Sequence, residues 1–159
     1  MTENSERSAT QHPHIPDPLR PPKDQRLHMR AHGRGFQRYP CPVSAAVPHA
    51  ILFTGDGDEG DLVAIHFGGP TWQSSDGSFV VGDAQNATHF TAPDLDGVDW
   101  LKIPTKSTGG TPDGEFAHVT WILRLNTDGG KPPAQGCKDN QTEVMVEYSA
   151  DYLFYTPSH

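Results

Sequence analysis

The stretch His66-Phe-Gly-Gly-Pro-Thr-Trp72 carries an imidazole at the end of a β-prone run, a turn built from Gly, Gly and Pro, and a large aromatic; Asp76-Gly77-Ser78 follows closely. A neutral imidazole can move a proton near pH 7, and a carboxylate beside it can fix its tautomer. His66 and Asp76 are therefore the candidate catalytic residues, an acid–base pair with Trp72 as a substrate-binding wall. The same residues support a structural reading, with Asp76-Gly77 as a hairpin turn, Trp72 as core and His66 bonded to a backbone carbonyl. Ser78 is a poor nucleophile for a Ser-His-Asp hydrolase, because it follows an ordinary turn and lacks the G-x-S-x-G elbow.

Tyr39, Tyr148, Tyr152 and Arg124 complete the candidate substrate-binding set. Tyrosines at alternate positions of a strand also serve as core residues with a single hydrogen bond. Arg124 can clamp a carboxylate ligand through two N–H groups, or pair across strands with Asp151 or Glu147. Metal ligation through His66, His89 and His118 lacks H-x-H or H-x-x-x-H spacing, so no metal is expected, and no cofactor. His12 and His14 do form H-x-H, but two ligands without further support do not make a site.

These side chains need a β framework. Among 159 residues there are 16 Gly and 15 Pro, which favours many short segments joined by turns. Strands are expected at Gly35–Cys41, His49–Thr54, Asp61–Phe67, Ser78–Gly82, Asp99–Pro104, Phe116–Asn126 and Thr142–Thr156. In the last of these Val144, Val146, Tyr148, Ala150, Tyr152 and Phe154 share one parity and face the core. In Phe116–Asn126 the apolar face is Ala117, Val119, Trp121, Leu123 and Leu125, and the opposite face, with His118, Thr120 and Arg124, reads as wet or functional. The fold class is all-β: a sandwich or flattened barrel of about seven to nine strands with an extended N-terminal arm. Gly55 to Gly60 spells G-x-G-x-x-G, but it joins two β runs and carries three carboxylates, so it reads as a hairpin turn rather than a dinucleotide or calcium site.

Residues 1–34 contain no Phe, Tyr or Trp, and five prolines lie between Pro13 and Pro22. This composition predicts a Pro-rich flexible arm over 1–34 and a single β domain over 35–159. Six basic and four acidic side chains give the arm +2, which leaves −10 for the remainder of a chain with net charge −8. Such a charge disfavours nucleic acid as a partner. No apolar run approaches the ~20 residues of a membrane-spanning helix. Met1–Ala31 holds no leader-like apolar run either, so the chain as written reads as cytoplasmic, with export after leader removal as the alternative. Oligomeric state is left open.

Two cysteines, Cys41 and Cys137, are too few for a zinc ribbon. They are candidates for a disulfide closing a loop of 95 intervening residues, or two thiols in a reducing compartment. The segments Gly35-Phe-Gln-Arg-Tyr-Pro-Cys41, His66–Trp72 with Asp76-Gly77-Ser78, Val119–Gly130 and Val146–Tyr155 occur in an order that resembles the bacterial and fungal family known as domain of unknown function 3455. The resemblance covers about 35 to 156 and includes a cysteine after the first motif and another after the Gly-Gly turn. It implies an exported ancestry and no particular chemistry. If the fold of exported relatives is retained, Cys41 and Cys137 approach within bridging distance. The residues themselves lead to a cofactor-free acid–base enzyme of cyclase, isomerase or dehydratase type, acting on a small organic substrate in an aromatic-lined β cavity. A non-catalytic binding module for a small ligand, or one acting at the cell surface, is the alternative.

Overall fold

The computed structural model describes residues 14–54 and 60–158. The turn expected at Gly55–Gly60 falls outside the described residues except for Gly60, and so does His12. Among the described residues the strands are β1 (Gln25–Pro40), β2 (Val47–Thr54), β3 (Leu62–Phe67), β4 (Thr71–Ser74), β5 (Phe79–Gly82), β6 (Thr88–Phe90), β7 (Trp100–Gly109), β8 (Trp121–Gly129) and β9 (Glu143–Pro157). They are antiparallel throughout. The order β5-β4-β3-β2-β1-β9-β8-β7 closes on itself because β5 also pairs with β7, and β6 lies along the other part of β7. The all-β expectation is met as a closed eight-stranded barrel with one extra strand, and closure removes the exposed edges an open sheet would leave.

The first strand begins at Gln25 rather than Gly35, which corrects the boundary of the arm. From Met29 the strand alternates: Ala31, Gly33, Gln37 and Tyr39 are buried, while Arg34 and Phe36 are exposed and Arg30, His32 and Arg38 partly so. Basic residues at every second position keep one face wet, and small residues on the other fit a barrel interior. The counting of aromatics missed this because the inward side chains here are small.

Two strands, β4 and β6, were not expected, and Phe116–Asn126 divides differently. Residues 115–118 form turns, and the strand starts at Trp121. Phe116 and Val119 fold into the interior cluster with Trp72, Val80, Ile122, Tyr152 and Phe154, plugging one end of the barrel. Leu123 and Leu125 pack in a second cluster with Trp100, Leu153, Tyr155 and Leu19. This cluster lies outside the barrel wall. Leu19, in the short 3-10 turn Asp17–Leu19, is completely buried there, which contributes ~1.5–3 kcal/mol to docking of this part of the arm. With both faces covered, β9 is buried without interruption from Tyr152 to Thr156, as expected of strands enclosed on two sides.

Candidate functional site

His66 on β3 and Trp72 on β4 are direct register partners. Their rings stack with centroids 4.3 Å apart and planes 8° from parallel. Tyr152 from β9 meets both edge-on, at 5.2 and 5.7 Å. The turn between β3 and β4 supports this pair: Gly69 adopts φ 136°, which favours glycine, and the Thr71 hydroxyl donates to Gly68 O at 2.9 Å. This geometry brings the Thr71 carbonyl to 2.9 Å from His66 Nδ1. A carbonyl only accepts, so Nδ1 carries the proton and Nε2 holds the lone pair. Burial lowers the His66 pKa to about 3, against a raising contribution from the Thr71 bond, and the ring is neutral at physiological pH.

The stack forms one wall of a cavity of about 340 Å3 inside the barrel, at the end marked by the β3–β4 turn. Aliphatic groups such as Val47, Leu101 and Ile103 line it, together with the polar side chains of Gln37, His66, Arg124 and Tyr152. Arg124 reaches it from the face of β8 opposite Leu123. Its Nε and Nη2 donate to the backbone oxygen of Asp99 at 2.9 and 2.7 Å, so the cross-strand pairing with Asp151 or Glu147 is not what holds it. The Tyr148 and Tyr152 hydroxyls are hydrogen-bonded at 2.8 Å. Burial raises the pKa of Tyr39, Tyr148 and Tyr152, while the charge of Arg124 pulls the other way at each. Tyr39 does not line the cavity and donates instead to Gly130 O.

Asp76 sits at the other end of β4. Its Oδ1 accepts from the Ser78 amide at 2.9 Å and the Ser78 hydroxyl at 2.6 Å, and its Oδ2 accepts from the Glu115 amide at 2.8 Å. The side-chain and backbone bonds to Ser78, then that to Glu115, lower its pKa to about 2. Ser78 Oγ accepts in turn from the Phe116 amide at 3.0 Å. The carboxylate thus fastens the β4–β5 turn to the loop that carries the Phe116 plug, and the group that fixes the His66 tautomer is the Thr71 carbonyl.

A model of the family described as Protein of unknown function (DUF3455) matches residues 53–156. The chain belongs to the DUF3455 family. No curated protein matches it. No solved structure matches it either. Within the DUF3455 match lie His66, Trp72, Asp76, Arg124, Tyr148 and Tyr152, whereas β1, with Gln37 and Tyr39, precedes it.

This DUF3455 barrel does contain a histidine–carboxylate pair, which sequence reasoning overlooked. His32 Nδ1 lies 2.9 Å from Asp151 Oδ1, and Asp151 Oδ2 receives Arg30 Nη2 at 3.1 Å and Asn126 Nδ2 at 2.8 Å. Burial raises the Asp151 pKa, but the bonds from His32 and Asn126 and the Arg30 charge outweigh it and the net shift is downward. The signal was available as register: His32 faces Asp151 across β1 and β9. His32 borders a wide groove on the outer wall, of about 1270 Å3, with Phe36, Ile51 and Ile65 exposed along it. Among the described residues no three His, Cys, Asp or Glu side chains converge as metal ligands; His89 bonds to Asp99 and His118 to Asp113, each at 2.9 Å. Cys41 and Cys137 form a disulfide with Cα atoms 6.1 Å apart. No helix among the described residues is long and apolar enough to cross a membrane.

Proposed function

We propose that this barrel is a binding module for a small apolar or aromatic ligand, taken into the interior cavity against the His66–Trp72 stack. The observation that carries the reading is the chemistry of His66 inside that cavity. An efficient general base or acid has a pKa near the working pH; His66, held near 3 by burial, gives up a proton too readily to store one. Its expected partner, Asp76, is occupied with Ser78 and Glu115. What remains is a flat aromatic wall, an acceptor nitrogen and an apolar enclosure of the size range of ligand sites, roughly 300–1,000 Å3. The disulfide fits an exported protein better than a cytosolic one, so we place the module outside the reducing cytosol.

The test is a ligand screen by thermal shift with tryptophan fluorescence as the second readout, since Trp72 lines the cavity. Ala84 is exposed and borders the cavity, so Ala84→Trp narrows the opening without touching the core. A ligand of the cavity binds the native protein, raises its melting temperature and loses affinity by about tenfold or more in Ala84→Trp, as expected when a well-packed apolar site is filled. Turnover of the bound compound, abolished in His66→Ala, would overturn the reading in favour of an enzyme.

A further inference from the structure

We propose that the ligand of the barrel is a carboxylic acid bound as its anion, with the carboxylate on the Arg124 guanidinium and the apolar body against Trp72. This rests on the binding reading above and names the ligand class that reading leaves open.

The first support is an unbalanced charge. Arg124 lines the cavity, and among the described residues no Asp or Glu lines it with Arg124 and the guanidinium has no carboxylate at ion-pair distance. Burial keeps the Tyr39, Tyr148 and Tyr152 hydroxyls protonated, and His66 is uncharged. Arg124 is half-buried, and a guanidinium partly withdrawn from water favours a counter-ion. The Asp99 carbonyl supplies a dipole but no charge.

The second support is unused donor capacity. A guanidinium has five N–H groups in a rigid plane, more than the Asp99 carbonyl and the Tyr152 hydroxyl take up, and a planar fork suits a carboxylate better than any neutral acceptor. Trp72 lines the same cavity, so an apolar body beside the guanidinium meets an aromatic side chain. The chain's net charge of −8 does not oppose this, since charges beyond a Debye length of ~8 Å are screened at physiological salt.

The probes are trans-cinnamate and trans-cinnamamide, which share shape and aromatic body and differ in charge. Calorimetric titration of the full chain at pH 7 is expected to give cinnamate at least about tenfold tighter binding than the amide, the scale of a charge-assisted hydrogen bond. Arg124→Met should remove that preference and leave cinnamamide affinity within about threefold, as expected when a charged group is replaced by an apolar one of similar length. Equal binding of both probes by the native protein would overturn the carboxylate proposal while leaving the binding reading intact. Binding of neither probe would overturn both. If Arg124→Met does not fold, the ratio of the two probes on the native protein decides the matter by itself.

Discussion

His66 Nδ1 lies 2.9 Å from the carbonyl oxygen of Thr71, and this contact sets the hydrogen on one ring nitrogen only. Nitrogen-15 NMR should find His66 as the Nδ1–H tautomer, unprotonated at Nε2 from pH 8 down to pH 4. The linkage to stability has a definite sign. Folded His66 titrates near 3 and an unfolded histidine near 6.5, so between these values the unfolded chain holds one more proton. Stability then rises with pH and is lost as pH falls from 6.5 to 3, by ~1.4 kcal/mol per pH unit. Urea unfolding of the native protein and of His66→Gln, compared at several pH values, should show that increment of slope in the first and not in the second.

Asp76 acts as a fastener. Asp76→Ala should lower the melting temperature and speed amide exchange at Glu115 and Phe116, whose N–H groups depend directly or through Ser78 on the carboxylate. Ligand affinity in the cavity, at the other end of β4, should hardly change. Because the folded pKa is depressed to about 2 from 3.8, this stabilisation is complete above pH 3.8 and disappears as pH drops through about 2. An Asp76→Ala protein whose cavity affinity collapsed along with its stability would contradict this division of labour.

The Cys41–Cys137 bridge closes a loop of 95 intervening residues. In the chain-entropy account it stabilises the fold by roughly 4–5 kcal/mol. Replacing both cysteines by serine should lower the unfolding free energy from denaturant titration by that amount and leave the far-ultraviolet spectrum unchanged, since β1 and β9 remain paired along their length.

Gly33 offers a packing test. A Cβ at this position would stand 2.9 Å from the ring of Tyr152 and 3.3 Å from Leu52. Gly33→Ala should cost ~1–3 kcal/mol as an overpacked core and tilt Tyr152 against its Tyr148 partner. Thermal denaturation measures the first effect, and weakened ligand binding in the cavity measures the second.

Much of the barrel was legible from period-2 alternation. The inward set of β9, from Tyr148 to Phe154, and the separation of Arg124 from Leu123 both followed from parity. What parity could not reveal is which side of a wall a face looks upon. Leu123 and Leu125 were read as core, and they are buried, but beneath Leu19 on the outside; Arg124, on the face read as wet or functional, points the other way, toward the interior cavity. The start of β1 was hidden because Ala31 and Gly33 are small, and β4 because four residues around Trp72 are too few to establish a period. The candidate site was partly legible: His66, Trp72, Arg124 and Tyr152 do meet around one cavity. Asp76 does not join them, because closeness in sequence along an extended strand is distance in space. The pair His32 and Asp151, 119 positions apart in the chain, becomes neighbours only through the closure of β1 on β9.

That closure also determines how the molecule bears mechanical load. Gln25 lies opposite Pro157, and the Ser158 amide donates to Asp24 O at 2.8 Å, so the two ends of the barrel strands leave from the same point. Tension applied there pulls β1 and β9 apart one rung at a time, perpendicular to the strands, rather than sliding them past each other against every hydrogen bond at once. The seam therefore peels at low force. Peeling runs as far as Cys41 and Cys137 and stops at the covalent bond, beyond which the chain from 42 to 136 feels no tension at all.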